Sequence, residues 1–125
     1  MREILFKGKR KDNDEWVEGD FVRLKDGDRV IPCIYGYGKV IHETVCEYTG
    51  KLDRNGKKIF ENDICLFYGE EGETNIYTIA WDSNSCGYIT RYTNSAYDVL
   101  DDFFAERCEV IGNIFDNPEL LEDKQ

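Results

Sequence analysis

Residues 44–64 read TVCEYTGKLDRNGKKIFENDI, and the turn signals in this stretch decide how the chain around it folds. The dipeptide Asn55-Gly56 favours a two-residue type I′ turn, because both residues tolerate the positive φ that this turn requires. Such a turn joins antiparallel strands, and the chain offers Glu47–Gly50 on one side and Lys58–Phe60 on the other. The stretch therefore predicts a β-hairpin.

A second tight bend is predicted at Glu61-Asn62-Asp63, directly before the apolar run Ile64–Tyr68. Asn is the non-glycine residue that best tolerates the left-handed region, which suits Asn62 to this bend. Polar side chains in turns bond nearby backbone amides, so we expect them to fix the loop geometry. The alternative is a binding site on the same loops. Its candidate residues are Tyr48, Thr49, Asp53, Asn55, Glu61 and Asp63.

Upstream of this stretch, short segments rich in β-branched and aromatic residues alternate with turn signals, as in small barrels and sandwiches. Asp26-Gly27 predicts another type I′ hairpin, between Trp16–Leu24 and Arg29–Tyr35. Pro32 cannot donate to a ladder, so we expect its strand to lie at a sheet edge or to start late.

Downstream, Ile76–Trp81 and Gly87–Tyr92 predict a further hairpin, and Glu109–Phe115 predicts a last strand. The run Ile64–Tyr68 is apolar on both of its faces, so each face must be covered by the core, a helix or a partner chain. Seven aromatic residues could line a groove, although in β-rich domains such residues more often form cross-strand pairs. They are Tyr35, Tyr37, Phe67, Tyr68, Tyr77, Tyr88 and Tyr92.

Two helices are predicted near the C-terminus. Residues 96–107 carry apolar side chains at i, i+1, i+4 and i+5, the spacing of one helical face. That face consists of Val99, Leu100, Phe103 and Phe104, and Asn94 or Ser95 is available as the N-cap. A single turn is predicted at Pro118–Leu121, with Asn117 as its cap.

The size and charge of the chain bound its class. It has 125 residues, 41% hydrophobic and 14% aromatic, so we expect one domain over residues 1–125 with its own core. The net charge is −10 but uneven: residues 1–60 hold 13 Lys and Arg against 11 Asp and Glu (+2), and residues 61–125 hold 3 against 15 (−12). This asymmetry indicates either a solvated acidic surface or an interaction surface for a basic partner. It disfavours direct binding of nucleic acid, which needs clustered Lys and Arg.

The cysteines give no sign of a cofactor or metal. Their number is odd, and no C-x-x-C pair is present, so the spacing of a zinc or redox motif is missing. We expect free, mostly buried thiols in a reducing compartment. The five residues are Cys33, Cys46, Cys65, Cys86 and Cys108.

Catalytic patterns are equally sparse. The single histidine, His42, lies four residues before Cys46, but its surroundings match no nucleophile motif, and no P-loop occurs. Four acids on the predicted helix could bind a divalent cation, although such residues usually form a solvated surface. They are Asp98, Asp101, Asp102 and Glu106. We expect neither a catalytic residue nor a metal site.

The stretch 44–64 resembles the signature of the YopX family, which runs roughly T-V-x-Q-Y-T-G-x-x-D-x-N-G-x-x-I-[YF]-E-G-D-I-V. Met1–Val17 (MREILFKGKRKDNDEWV) resembles the opening of the family pattern, and Cys108–Leu121 (CEVIGNIFDNPELL) resembles its close. The three segments bracket nearly the whole chain. Two departures stand out, because Asn62 replaces a glycine of the pattern and Glu47 replaces its glutamine.

The resemblance implies a mainly β fold: a small SH3-like barrel-type domain with one or two short helices near the C-terminus. It also implies a phage or prophage origin, and it carries over no enzymatic activity and no catalytic residue. The lack of a catalytic set, the charge asymmetry and the resemblance together predict a noncatalytic accessory protein that binds a host or phage protein. No stretch of about 18 apolar residues exists, so we expect no membrane contact and a place in the cytoplasm of the bacterial host.

Two alternatives and one further expectation remain. The first alternative is a hydrolase that uses carboxylates near residues 53–63. The second is an acidic mimic of DNA, whose candidate carboxylates are Asp82, Asp98, Asp101, Asp102, Glu106 and Glu109. We further expect a homo-oligomer, because the run Ile64–Tyr68 needs cover on both faces and because the two oppositely charged halves favour head-to-tail contacts.

Overall fold

The structure, a computed structural model, describes residues 2–92 and 96–122 and is mainly β, as predicted. Its chain divides into two compact units, Met1–Tyr48 and Thr49–Gln125, which we describe in turn. The helices are α1 (Asp102–Ala105) and α2 (Glu119–Glu122). The strands are β1 (Phe6–Lys9), β2 (Trp16–Gly19), β3 (Phe21–Asp26), β4 (Arg29–Ile34), β5 (Gly38–Lys39), β6 (Cys46–Leu52), β7 (Lys58–Phe60), β8 (Asp63–Tyr68), β9 (Thr74–Asp82), β10 (Gly87–Tyr92), β11 (Ala96–Val99) and β12 (Cys108–Asn113).

The first unit contains two antiparallel arrangements, with β1 between β2 and the start of β6, and β4 between β3 and β5. The predicted strand Trp16–Leu24 is therefore split between β2 and β3. A Cβ at Gly19 would lie 3.0 Å from Ile34 Cγ2, so the split occurs where backbone and side chain approach closely. The strand of Pro32 is central rather than at an edge. The register between β4 and β5 begins at Cys33, so the missing amide of Pro32 interrupts no pair between these two strands.

The two hairpins around the turn signals form, but neither turn is the predicted type I′. Between β3 and β4 the central residues are Gly27 and Asp28, and Gly27 has a φ of 63°, the pattern of a type II′ turn. The loop between β6 and β7 is five residues long. Within it Gly56 has a φ of 83°, whereas the φ of Asn55 is negative.

The second unit is built on a five-stranded antiparallel sheet in the order β11-β10-β9-β8-β12. The predicted pair β9–β10 is confirmed, and so is the last strand, β12. One hydrophobic cluster lies in this unit. It consists of Ile59, Cys65, Ile79, Leu100, Phe104, Ala105, Cys108 and Val110.

Strand β8 is an interior strand of this sheet, between β9 and β12, and its first apolar residues are fully buried. Ile64 and Cys65 are both 0% exposed although they point to opposite faces. Both faces of the strand are thus covered here within one chain. Ile64 and Cys65 therefore do not require a partner chain to bury them.

The predicted helix over residues 96–107 is wrong in its first half. Residues 96–99 form β11, which pairs with β10, and α1 is a single turn. The apolar spacing also fits a strand followed by a turn, because Leu100 and Phe104 are buried whereas Val99 and Phe103 are exposed. The N-cap is Asp101, whose Oδ1 accepts the Phe104 amide at 3.0 Å. Asn94 and Ser95 lie outside the described residues.

The second predicted turn is confirmed as α2, beginning after Pro118. The strand pairings among residues 2–92 and 96–122 form three antiparallel sheets and do not close into a barrel, so the SH3-like barrel is not confirmed. Within those same residues, every helix is too short or too polar to cross a membrane.

Candidate functional site

Asp53, the first carboxylate of the predicted loop site, is a structural residue. It is 6% exposed, and its Oδ1 accepts the backbone amides of Asn55 and Lys57, both at 2.9 Å. Its Oδ2 accepts the amide of Val110 on β12, also at 2.9 Å. Both oxygens are occupied by backbone donors, so Asp53 shapes its loop and ties it to the sheet of the second unit.

Asp63 and Thr49 also serve the backbone. The Oδ2 of Asp63 accepts the Phe60 amide at 2.8 Å, and the Asp63 side chain is almost fully buried. The Thr49 hydroxyl donates to the carbonyl of Ile59 at 2.7 Å, which joins β6 to β7. Asn62 has a φ of 74°, so it occupies the left-handed conformation predicted for that bend.

The remaining candidates lie in different local settings. Tyr48 is buried in the first unit, where its amide donates to the carbonyl of Leu5 at 2.8 Å. Asn55 is exposed at the tip of the Asp53 loop, and Glu61 is partly exposed in the second bend. Among the six candidates, Asn55 contacts Asp53, because its backbone amide donates to the Asp53 Oδ1. The geometry favours the structural interpretation of this stretch over a carboxylate active site.

Thr44, the first residue of the stretch, has a structural role that the sequence did not reveal. Its hydroxyl donates to the Ile41 carbonyl at 2.6 Å and accepts the Lys9 amide at 2.9 Å. The side chain is buried, and it holds β1 against the turn that precedes β6.

A different feature of the second unit has the chemistry of a binding site. A cavity of about 160 Å³, which we call the aromatic cavity, lies between β11 and α1 at the edge of the sheet. Its aromatic lining is Phe67, Tyr77, Phe103 and Phe104, and its other residues are Thr90, Asp98, Val99 and Asp101.

The aromatic rings of this cavity fix one another. Phe67 and Phe104 stack with ring centroids 5.1 Å apart, and Tyr77 meets Phe104 edge-on at the same distance. Phe103 lies 6.3 Å from Phe67. Such pairs stabilise beyond their buried area, by about 0.5–1.5 kcal/mol each. The aromatic wall is therefore preformed rather than assembled by a ligand.

Strand register explains how a carboxylate comes to lie beside these rings. Asp98 of β11 pairs with Thr90 of β10, and Thr90 pairs with Ile79 of β9. Directly paired residues point to the same face of a sheet, so Asp98 lies on the face that carries the core residue Ile79. The edge position keeps Asp98 exposed.

Each of the two carboxylates of the cavity accepts a backbone hydrogen bond through one of its two oxygens. Asp98 Oδ1 accepts the Val99 amide at 2.8 Å, and Asp101 Oδ1 accepts the Phe104 amide. Within the described part of the chain, no donor reaches the Oδ2 atom of either residue. Burial, and then the nearby Tyr92 and Asp98, raise the pKa of Tyr77, so its phenol stays protonated at neutral pH.

The cavity opens within an exposed acidic segment, residues 96–106, which we call the acidic face. All of β11 is exposed, with Tyr97 at 63% and Val99 at 59%, and Phe103 of α1 is 50% exposed. The segment contains no Lys or Arg. Its four carboxylates, Asp98, Asp101, Asp102 and Glu106, are all exposed. These are the four acids considered above for a metal, but among residues 2–92 and 96–122 no cluster of His, Cys, Asp or Glu is suited to hold one.

The carboxylates considered for a DNA mimic do not form one row. Asp98 lies on β11 and Glu109 on β12, at opposite edges of a five-stranded sheet, about 19 Å apart by strand spacing. Glu109 accepts the Tyr68 hydroxyl at 2.9 Å, and Asp82 accepts the Ser85 hydroxyl at 2.7 Å. This arrangement argues against carboxylates at phosphate spacing.

The first unit contains a larger cleft of opposite charge. It has a volume of about 400 Å³, and we call it the basic cleft. Tyr37, which is 48% exposed, lies between two glycines with positive φ. Arg10 pairs with Asp12 at 3.0 Å, and Lys11 and Lys39 are the other basic residues of the lining. The lining is Arg10, Lys11, Asp12, Tyr37, Gly38 and Lys39.

Fold and site together define a mainly β protein whose loop carboxylates Asp53 and Asp63 accept backbone amides and whose exposed cavity is aromatic and acidic. The chain belongs to the YopX family, since the family model described as YopX protein matches residues 5–122. Protein EF1440 from Enterococcus faecalis has a similar crystal structure, with a TM-score of 0.60 and 21% sequence identity over 97% of this chain and 99% of that one. At this identity the likeness shows the fold. No curated protein matches the chain.

Proposed function

We propose that this protein is a noncatalytic binding module of phage or prophage origin, and that its acidic face binds a basic segment of another protein of the host or phage. The observation that carries the proposal is the exposed edge strand β11 with large apolar side chains among carboxylates. Edge strands with this composition are ready templates for another chain, and natural proteins normally protect them.

Charge complementarity selects the partner. The acidic face has four exposed carboxylates and no basic residue, and one of them, Asp102, pairs with Lys51 at 2.6 Å. A basic segment would neutralise the other three, while a neutral or acidic segment would leave them facing like charge or nothing. Rim charges of this kind steer association and set its salt dependence more than they set affinity.

Exposed apolar side chains on the acidic face contribute to the affinity for the partner. Tyr97 is 63% exposed, and aromatic residues of this kind are frequent anchors of protein interfaces. Burying it would remove apolar area from water at about 25 cal/mol per Å². The buried and satisfied carboxylates Asp53 and Asp63 support a noncatalytic function, because both are committed to backbone amides.

Photo-crosslinking tests the proposal. We would place p-benzoylphenylalanine at Tyr97 and, as a matched control, at Tyr35 of the first unit, which is 75% exposed. After irradiation in host lysate, we expect at position 97 an adduct with a protein other than this chain, and no such adduct at position 35. The captured protein, once purified, should bind more weakly to Asp102→Asn/Glu106→Gln, by roughly two- to tenfold at low salt, because the double variant removes the charge of Glu106 and frees the cation of Lys51 at the acidic face.

The control for charge is Glu70→Gln/Glu71→Gln, the same change in the exposed loop between β8 and β9. It should leave the affinity unchanged. Identical adducts at positions 97 and 35, an adduct of this chain with itself alone, or equal weakening by the two double variants would each overturn the proposal.

A further inference from the structure

We infer that the aromatic cavity recognises one Lys or Arg side chain of the basic partner. This inference rests on the proposed function and specifies how the acidic face selects its ligand. The cavity joins an apolar aromatic wall to two carboxylates, and that combination matches a side chain with an apolar stem and a cationic end.

Apart from the Tyr77 hydroxyl, which can donate or accept, the polar side chains that line the cavity offer acceptors to a ligand. Asp98 and Asp101 each present a free Oδ2 within the described chain, and no Lys, Arg or His belongs to the lining. The Thr90 hydroxyl is directed to the Asp98 carbonyl at 3.4 Å. Ammonium and guanidinium groups are donors only, so they complement such a lining, whereas a carboxylate or phosphate would meet like charge.

The size of the cavity limits the ligand. Sites for drug-sized molecules usually have about 300–1,000 Å³, and this cavity has about 160 Å³. It is therefore suited to a single side chain. The rings of Phe67 and Tyr77 would contact the methylene stem, as lysine and arginine stems cover apolar surface while their charged ends stay near water.

The local chain already shows cation recognition by one of these rings. The guanidinium of Arg107 lies 3.9 Å from the ring centroid of Phe103 and donates to the Phe103 carbonyl at 3.0 Å. Aromatic rings attract cations through their electron-rich faces. A second cation entering the cavity would meet two carboxylates, which offset the charge of Arg107.

An NMR titration with defined peptides tests the inference without knowledge of the partner. The probes are acetyl-Gly-Lys-Gly-amide, acetyl-Gly-Arg-Gly-amide and the norleucine analogue of the first, which keeps the stem and lacks the charge. We expect saturable shifts of the Thr90, Val99 and Phe104 amides with both cationic peptides and none with the norleucine peptide. Asp98→Asn should weaken the binding roughly two- to fivefold, because it removes the charge and keeps the Oδ1 acceptor.

The matched control is Glu71→Gln, which changes the net charge equally and lies in the loop between β8 and β9. It should leave the titration unchanged. The inference is overturned by equal shifts from the norleucine peptide, by equal weakening from Glu71→Gln, or by no saturable shift at the cavity amides. If crosslinking at Tyr97 captures a basic partner while the peptides fail, the proposed function stands and the cation site does not. If the peptides bind and crosslinking fails, the cation site stands and the proposed partner does not.

Discussion

Individual carboxylates in this protein act as backbone ligands in the loops and as free acceptors at the sheet edge. Asp53 and Asp63 are buried and accept hydrogen bonds from backbone amides. Asp98 and Asp101 are exposed, and within the described chain one oxygen of each accepts no hydrogen bond. Both kinds of residue occur beside turns, so the sequence cannot separate them by type. The difference arises from whether a second strand supplies a donor, as Val110 does for Asp53.

At Asp53 the structure predicts a large loss of stability on truncation. Asp53→Ala would leave the amides of Asn55, Lys57 and Val110 without their acceptor, and we expect the free energy of unfolding to fall by about 3 kcal/mol or more. Asp53→Asn should cost less, because one acceptor oxygen remains. Urea unfolding measures both. Glu18→Ala on the exposed side of β2 serves as control and should stay within about 0.5 kcal/mol. An Asp53→Ala variant as stable as the control would contradict the structural role.

At Asn62 the prediction concerns the backbone alone. Asn62→Ala and Asn62→Gly both delete the side-chain amide, but only glycine adopts a φ of 74° without strain. We expect the glycine variant to be more stable than the alanine variant by about 1 kcal/mol. The same pair at Asn55, where φ is negative, should show the opposite order, with Ala favoured. The urea unfolding midpoints of the four variants test this prediction. Equal midpoints for Asn62→Ala and Asn62→Gly would be inconsistent with the left-handed bend.

At the level of elements, the sequence predicted pairs of neighbouring strands well and predicted distant pairing not at all. The hairpins β3–β4, β6–β7 and β9–β10 follow from turn residues and alternation, which are local signals. The helix predicted over residues 96–107 was wrong because apolar residues spaced at i and i+4 occur both in one helix and in a strand followed by a helical turn. The aromatic cavity needs Tyr77 of β9 near Asp98 of β11, two strands away, and no local pattern encodes that register.

The pairing of β8 with β12 gives a pH-dependent element. A hydrogen bond with Cys108, and then burial, raise the pKa of the Cys65 thiol above its ordinary value. Above about pH 9 the unfolded thiol ionises while the folded one does not, so the free energy of unfolding should fall with pH. The contribution of one such group is about 1.4 kcal/mol per pH unit.

Urea unfolding between about pH 8 and pH 10 measures this slope. Cys65→Ala should show a shallower fall than the parent chain. Cys86→Ala is the control, because Cys86 is free and exposed and its loss should leave the slope unchanged. Parallel slopes for the parent chain and Cys65→Ala would refute the assignment to Cys65.

At the scale of the whole molecule, the two regions of opposite charge predict salt-sensitive self-association. Fully buried Ile64 and Cys65 remove one reason to expect an oligomer, which leaves the uneven charge and the exposed edge β11. Residues 1–60 carry +2 and residues 61–125 carry −12, so the acidic face of one copy complements the basic cleft of another. Contacts of this head-to-tail kind close into rings or continue as chains.

Light scattering at about 0.05 M and about 0.5 M salt tests this prediction, because the higher concentration shortens the Debye length to a few ångströms. We expect a mass of at least twice 14.6 kDa at low salt and a return toward 14.6 kDa at high salt. Asp102→Asn/Glu106→Gln should lower the low-salt mass, while Glu70→Gln/Glu71→Gln should not. A mass near 14.6 kDa at both salt concentrations refutes the oligomer, and a large mass that salt leaves unchanged would assign the contact to apolar residues such as Tyr97 and Val99 instead of the charges.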